Sequence, residues 1–293
     1  MKDKRLAIAG LVTLLCSHQP AAAADLNAPG VAPVKSPSDW SLSFTTYGWL
    51  PWITGDLGIK GRSFDVDVTP GQVIDALDWS GIPAWFSYAE LRKDRFSFFN
   101  DIVYSRLSGS SDFATTGPLG AVSLSGNLSA DYEQTIIELG ATYEIWSEKG
   151  ATSQTALDVL AGGRYWNQDG KISADASLNT SLPLPIEGSR VFVRSGSVDW
   201  VDPFIGARVR HQMAPGQNLT MRGDIGGFGA GSDFSWQAIA TYDMQICITD
   251  SYAIDGYLGY RALAVDYSEG SGNNRYEFDA VTHGPVIGAT VRF

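Results

Sequence analysis

The chain has 293 residues and a formal net charge of −11, with 18% charged residues, 12% aromatic residues and 32 glycines. The acidic balance argues against a nucleic-acid-binding protein. After the first 24 positions no run of 18 apolar residues could form a membrane-spanning helix, and a single cysteine, Cys247, leaves no partner for an internal disulfide. The composition is typical of a β protein with alternating strands.

The first 24 residues are typical of a secretory signal peptide. Three basic residues precede an apolar run at positions 6–16, and alanines occupy positions 21–24. We expect cleavage after Ala24, because small residues suit the signal peptidase and the apolar run is too short to span a membrane. Residues 25–39 are proline-rich and lack periodicity, so we interpret them as a flexible periplasmic lead.

Residues 40–293 carry a period of two that predicts ten β strands. The first starts at Trp40, and the others cover residues 83–92, 96–107, 128–146, 155–166, 198–212, 218–228, 234–248, 252–267 and 276–293. Short connections at 93–95, 147–154, 214–216 and 249–251 alternate with long ones such as 108–126, which is typical of periplasmic turns and extracellular loops in membrane barrels. Eight or twelve strands remain open, because residues 63–68 or 174–194 could add a hairpin. Residues 174–178 and 190–194 still alternate, so the strands before and after them could project beyond the bilayer.

A short helix is predicted within the first long loop, at residues 70–78. Thr69 and Gln72 have capping-box spacing, and Pro70 suits the first helical turn. Val73, Ile74 and Leu77 form an apolar stripe that needs cover. The helix either folds over the outer rim of the barrel or drops into its mouth, where Asp75 and Asp78 would face the arginines of the lumen.

The last strand places Phe293, Val291, Ala289, Ile287 and Pro285 on one uncharged face. We expect it to pair with the first strand, because an open sheet edge cannot exist in lipid. A soluble β-sandwich is the alternative, and the leader together with the wholly apolar strand faces favours the membrane barrel.

A final strand that ends on Phe293 resembles the closing strand of bacterial outer-membrane β-barrels. The runs 158–166 and 200–208 are also similar to a group of uncharacterised proteobacterial outer-membrane, porin-like barrel proteins. The resemblance covers residues 40–293 and implies an all-β, transmembrane, antiparallel up-and-down barrel in the outer membrane with both termini in the periplasm. It also implies that the barrel-assembly machinery reads Phe293. It brings no agreed activity, cofactor or catalytic residue.

The inward faces of the predicted strands carry charges of both signs. We expect a lumen charge network formed by Glu90, Arg92, Asp101, Glu138, Glu144, Asp158, Arg164, Asp202, Arg208, Arg210, Arg222, Asp224, Asp243, Asp255 and Arg261. Buried charges need partners or water, and ten strands enclose a narrow interior. The pairs either fill the interior or line a constricted polar conduit or small-ligand pocket. Outward aromatics, among them Trp40, Tyr143, Tyr165, Trp236 and Tyr242, would form interfacial girdles.

These patterns favour a structural barrel or a narrow porin-like channel for small polar solutes. The alternative is a surface-binding or adhesion protein that acts through its extracellular loops, and a third possibility is an outer-membrane enzyme. Neither His211 nor His283 is placed for catalysis, and no metal-ligand spacing or phosphate loop occurs, so we expect no enzyme and no cofactor. The expected partners are outer-membrane lipid and the assembly machinery, with a monomeric chain.

Overall fold

The computed structural model describes residues 40–59, 62–116, 122–180, 188–271 and 275–293. The expected leader (1–24) and periplasmic lead (25–39) lie outside the described residues. Within them the elements are β1 (Trp40–Trp49), β2 (Trp52–Ile59), β3 (Arg62–Val68), α1 (Pro70–Ala76), β4 (Ala84–Lys93), β5 (Phe96–Thr116), β6 (Val122–Lys149), β7 (Gln154–Thr180), β8 (Gly188–Ala214), β9 (Gln217–Gly226), β10 (Phe234–Ile248), β11 (Ala253–Glu269) and β12 (Tyr276–Arg292).

Ten strands close into an antiparallel barrel. Their order is β1-β4-β5-β6-β7-β8-β9-β10-β11-β12, and β12 pairs back to β1, with Phe44 opposite Val291 and Gly48 opposite Ile287. The predicted ten-stranded up-and-down barrel is therefore confirmed, as is the pairing of its last strand with its first. Closure gives the edge strands the backbone partners that a sheet in lipid requires.

β2 and β3 are additional to this ring. β1 covers only the last part of β12, and after a break at Leu50 and Pro51 the chain continues along the same edge of β12 as β2. The break is bridged by a hydrogen bond from the Leu50 N–H to the Pro285 carbonyl at 3.0 Å. β3 then turns back to pair with β2. Residues 63–68 thus form the strand that their alternation suggested, but its hairpin extends the sheet without enlarging the barrel.

The two ends of the barrel differ. At one end, called the turn end, lie Trp40, Phe293 and the four short turns at 94–95, 150–153, 215–216 and 249–252. These coincide with the four predicted short connections. The opposite end is called the ribbon end, because β5, β6, β7 and β8 are much longer than the other strands and continue there as two long hairpins.

The predicted loop over residues 108–126 is wrong in extent, whereas the strands around residues 174–178 and 190–194 extend as their alternation suggested. β5 runs to Thr116 and β6 starts at Val122, while β7 runs to Thr180 and β8 starts at Gly188. The pairing of β5 with β6 continues in register to Thr116 opposite Ser123. The sequence signal is weak there because beyond a bilayer neither face of a strand must be apolar, so the period of two loses its contrast.

The predicted short helix is present as α1. The Thr69 N–H donates to the Gln72 side chain at 2.9 Å, which is one half of the predicted capping box. After the helix, Leu77 bridges Leu107 of β5, and the Asp78 carboxylate lies 3.1 Å from the exposed Arg106 guanidinium. Hydrogen bonds from Ser80 lower the pKa of Asp78. Asp78 thus pairs outside the lumen and α1 adjoins β5, so the plug position is not adopted. No helix within the described ranges is long and apolar enough to cross a bilayer.

Candidate functional site: the barrel interior

The outer face of the barrel carries an apolar belt. Outward side chains on β8 are apolar from Val201 to Val209 and end at Asp199, which matches the roughly 9–11 residues of a tilted transmembrane strand. Large apolar side chains in the belt are strongly exposed, including Leu139 at 62% and Ile287 at 59%. Such a continuous apolar exterior is unstable in water and stable in lipid.

Aromatic side chains border the belt on both sides. Toward the ribbon end they include Trp52, Trp85, Tyr104, Tyr165 and Trp236, and toward the turn end Trp40, Phe96, Tyr143, Trp146 and Tyr242. An apolar band bordered by two aromatic girdles is typical of the exterior of a bacterial membrane barrel. The chain has the fold of an outer-membrane β-barrel protein. The soluble sandwich is excluded by the closed ring and its apolar exterior.

Comparison with known proteins found likeness among solved structures alone. The sequence matches no protein-family model and no curated protein. Among solved structures the barrel is similar to outer membrane protease OmpT from Escherichia coli (10% identity, 89% of this chain and 99% of that chain, TM-score 0.39). It is also similar to Neisserial surface protein A (10%, 87% and 96%, 0.29) and to outer membrane protein AlkL (12%, 92% and 97%, 0.31). Likenesses this remote carry no argument about function, which must come from the barrel's own interior.

The inner face holds a first group of charges near the turn end. This turn-side cluster consists of three carboxylates and three guanidinium groups, from Glu90, Glu144, Asp158, Arg92, Arg208 and Arg210. Asp158 is fully buried, and its carboxylate lies 2.8 Å from the guanidinium groups of both Arg208 and Arg210. The Glu90 carboxylate lies 2.6 Å from the Arg208 guanidinium group. The three negative charges equal the three positive charges, so the cluster holds ionised groups in a narrow interior with no net charge.

A second group of charges lies deeper along the barrel. This central cluster again has three acids and three arginines, Asp101, Glu138, Asp224, Arg164, Arg222 and Arg261. Glu138 is fully buried and accepts from Arg164 and Arg222 at 2.8 Å and from Arg261 at 3.4 Å. Asp101 also accepts the Tyr47 hydroxyl at 2.7 Å. Each acid meets arginines from strands on other parts of the ring, so the cluster crosses the lumen.

Apolar side chains fill the space between the two clusters. Phe99, Leu160 and Phe204 are buried together on the inner face. Their rings lie over glycines of neighbouring strands, since a Cβ built on Gly140 would come within 2.5 Å of Phe99 and one on Gly162 within 2.6 Å of Phe204. The glycines therefore make room for the rings.

Arginines of the central cluster also rest on these rings. The Arg222 guanidinium carbon lies 4.7 Å from the centre of the Phe99 ring, and that of Arg164 lies 5.2 Å from Phe204. Cation–π contacts of this kind stabilise a guanidinium that is out of water. Sequence reasoning missed Phe99 and Phe204, although each lies two residues from an inward aspartate and so shares its face.

The glycine pair 162–163 tests this packing. Gly162→Ala should cost roughly 1–3 kcal/mol of unfolding free energy, because its Cβ meets Phe204 and the Leu139 carbonyl with no room to shift. Gly163→Ala is the matched control: it points outward, where the nearest atom to its Cβ is a Val201 methyl carbon at 3.6 Å. Urea unfolding of both variants in detergent micelles measures the difference, and equal midpoints would contradict the inner packing.

Beyond the central cluster, toward the ribbon end, the interior becomes aromatic. We call Trp49, Trp166, Trp200, Tyr267 and Phe278 the aromatic cluster, all of them 6% exposed or less. Trp200 stacks on Tyr267 with ring centres 3.9 Å apart and on Trp166 at 5.4 Å. These rings come from β7, β8 and β11, so the stack reaches across the barrel.

A hydrogen bond crosses the lumen at the level of the aromatic cluster. The Tyr276 hydroxyl of β12 donates to the Gln168 side chain of β7 at 2.6 Å, joining residues far apart on the ring. Together with the aromatic cluster, this hydrogen bond covers the lumen at its ribbon side. The Arg261 guanidinium, 5.0 Å from the Trp49 ring centre, connects that cover to the central cluster.

Three of the expected lumen residues stand outside both clusters. Asp202 is fully buried and accepts the backbone N–H of Ser232 at 2.7 Å, in the connection between β9 and β10. Asp255 pairs with Arg292 at 2.8 Å near the turn end. Asp243 has no ion-pair partner among the described residues. The other twelve expected residues belong to the turn-side and central clusters, with partners that the sequence did not specify.

A cavity of about 410 Å³ opens at the turn end. Its mouth includes Ser41, Gln212 and Arg292, and it extends inward as far as Asp101 and Arg261 of the central cluster. The walls combine charged groups of both signs with apolar side chains such as Ile239 and Val286. The cavity therefore passes beside the turn-side cluster, whose Glu90 and Arg208 line it, and ends at the central cluster.

The histidines lie away from any acid–base arrangement. His211 hydrogen-bonds Thr155 at 2.8 Å near the turn end, and His283 hydrogen-bonds the Tyr260 hydroxyl at 2.6 Å on the outer face, where Trp52 stacks on its ring. Neither ring pairs with a carboxylate among the described residues. In that part of the chain no group of three His, Cys, Asp or Glu side chains could hold a metal ion.

Proposed function

We propose that this protein is a closed outer-membrane barrel that anchors the ribbon of β5–β8 at the cell surface as a binding surface. The observation that carries the proposal is the filled interior. Two balanced ion-pair clusters, the rings between them and the aromatic cluster follow one another along the lumen. Ion flow needs a continuous wet path, and the central and aromatic clusters lie across the path that continues from the turn-end cavity.

The ribbon supports the binding role. Beyond the belt, β7 continues from Asp169 to Thr180, which corresponds to about 40 Å of extended chain. The four strands pair with one another along this length. A shallow depression of about 490 Å³ lies on the ribbon, with Arg106, Asp131, Glu133, Asp169 and Lys171 among its lining residues. Mixed charge at an exposed depression suits a polar ligand or a protein partner.

The orientation is part of the proposal. Short turns face the periplasm and long connections face the exterior in barrels of this kind. The ribbon end would then lie outside the cell, and the turn end with both termini would lie in the periplasm. We further propose that the chain is monomeric and non-catalytic, with membrane lipid and the barrel-assembly machinery as its partners and no role for nucleic acid.

A narrow channel for small polar solutes is the second candidate. The turn-end cavity of about 410 Å³ favours it, because this cavity already covers part of the path. The remaining part would have to open through the aromatic cluster and the Tyr276–Gln168 hydrogen bond. That step distinguishes a gated channel from the closed barrel.

Planar-bilayer recording tests the closed barrel. We expect the purified, folded protein to show no steady open levels at moderate voltage, because ions would have to cross the buried aromatic cluster. Folding of the same preparation is verified by the heat-modifiable gel shift of an intact barrel. Reproducible open levels in that preparation would favour the channel instead.

Thiol labelling on intact cells tests the orientation. In a Cys247→Ser background, Lys171→Cys on the ribbon should react with a membrane-impermeant reagent, whereas Pro215→Cys at the turn end should be shielded. Both cysteines should react after the outer membrane is permeabilised, which controls for their accessibility. Labelling of Pro215→Cys alone on intact cells would invert the barrel.

A further inference from the structure

The wall of the turn-end cavity contains a row of polar side chains on three neighbouring strands. Asp243 of β10 is opposite Asn218 of β9 on one side and opposite Tyr257 of β11 on the other. All three residues line the cavity. Residues directly opposite each other on antiparallel strands point to the same face, with Cβ atoms about 4.5–5.5 Å apart. An amide, a carboxylate and a phenol therefore stand side by side on this wall.

A second row continues the polar surface toward the central cluster. Thr241 is two residues from Asp243 on the same face of β10 and is opposite Thr220 of β9. Both threonines line the cavity. The two rows together are called the polar wall, which consists of Asn218, Thr220, Thr241, Asp243 and Tyr257.

The side chains of the polar wall have no hydrogen-bond partners in the protein. Within the part of the chain that the structure describes, none of the five takes part in a hydrogen bond to another protein group. Their nitrogen and oxygen atoms also remain accessible to solvent. Polar groups inside a folded protein are nearly always hydrogen-bonded, so these five take their partners from whatever fills the cavity.

The ion pairs around the cavity leave one negative charge over. The turn-side and central clusters each balance three carboxylates with three guanidinium groups, and Asp255 pairs with Arg292 at the mouth. Among the described residues that line the cavity, Asp243 is the carboxylate that has no cationic partner. A carboxylate in a narrow interior is stabilised by an opposite charge. The cavity therefore favours a cation over an anion.

The polar wall suits an organic ammonium group better than a metal ion. Calcium and magnesium take about six or more oxygen ligands, and in the described ranges no group of three His, Cys, Asp or Glu side chains could hold a metal. An ammonium group donates three hydrogen bonds, and Asn218, Asp243 and Tyr257 offer three neighbouring acceptors. Cavities that bind small molecules measure about 300–1,000 Å³, so the volume of about 410 Å³ has room for an organic body.

We propose that the turn-end cavity binds a small molecule that carries a primary ammonium group and enters from the aqueous phase at the turn end. The ammonium group lies against Asp243. The carbon chain of the ligand lies along Thr241 toward Ile239 and Val286, two apolar residues of the lining. The site and the ribbon lie at opposite ends of the barrel, so the proposal is independent of any ligand that the ribbon binds.

Protection of a cysteine from an uncharged reagent tests this site. Thr220→Cys in a Cys247→Ser background places a thiol on the polar wall, and methyl methanethiosulfonate modifies it in folded protein in detergent micelles. We expect n-butylammonium to slow the modification several-fold, whereas n-butanol and butyrate, which have carbon chains of the same length, should not. Mass spectrometry measures the modified fraction over time. Equal rates with all three compounds, whether slowed or not, would overturn the proposal, because the ammonium group would then make no difference.

Removal of the carboxylate supplies the matched comparison. Asp243→Asn keeps the shape of the side chain but removes its charge, so n-butylammonium should no longer protect the thiol. Asp250→Asn removes an exposed carboxylate from the turn after β10 and should leave the protection unchanged. Protection that survives Asp243→Asn would overturn the site. Lys35 is the one basic residue at positions 25–39, and protection that appears only after Lys35→Gln would assign the cavity to the chain's own lysine and also overturn the proposal.

Discussion

Replacing Glu138 with Gln should destabilise the barrel by about 3–5 kcal/mol, the usual cost of breaking a buried ion pair by removing one partner. Glu138 is fully buried and accepts from three arginines, so its neutralisation leaves the central cluster with two carboxylates for three guanidinium groups. Gln has nearly the same shape, so the loss is electrostatic. Urea unfolding in detergent micelles, followed by the heat-modifiable gel shift, measures it.

Glu148→Gln is the matched control for this experiment. Glu148 lies on the same strand, β6, but is exposed at the turn end. Loss of an exposed charge typically changes stability by less than about 1 kcal/mol. If both variants unfolded at the same urea concentration, the central cluster would not contribute the stability that its geometry indicates.

Replacing Leu139 with Lys should block assembly of the barrel in membranes. Leu139 is the outward neighbour of Glu138 on β6 and is 62% exposed within the apolar belt. A lysine near the bilayer midplane on the lipid face costs about 2–4 kcal/mol. The folded band in the gel-shift assay should be strongly reduced after refolding into lipid vesicles.

Asp169→Lys controls for the added lysine. Asp169 is exposed beyond the belt on β7, so a lysine there stays in water. Its folded band should match that of the wild type. A normal folded band for Leu139→Lys would mean that residue 139 does not face lipid and does not belong to the apolar belt.

The two substitutions at 138 and 139 test opposite faces of one strand. Adjacent residues of a strand point to opposite sides, so a one-residue shift of β6 would place Glu138 in lipid and Leu139 among arginines. The barrel therefore specifies its register strongly here. For this reason the inner and outer faces could be separated from the alternation alone.

Some features of this protein followed from the sequence by itself. The period of two located the strands of the ring, and the spacing of Thr69, Pro70 and Gln72 located α1. The short turns followed from charged and Pro- or Gly-containing breaks between apolar runs. All these signals join residues that are close in the chain, and local backbone preference is sufficient to express them.

Other features were decided only by the tertiary structure. The pairing of Arg261 with Asp101 and the contact of Tyr276 with Gln168 join residues more than one hundred positions apart, and they depend on strand register and barrel width. The filled aromatic interior and the length of the ribbon depend on strand register and barrel width as well. A period of two reports which face a side chain is on, but it carries no information about what lies opposite that side chain across the lumen. Closing the ring determines that partner, because ring closure sets the distance between facing strands.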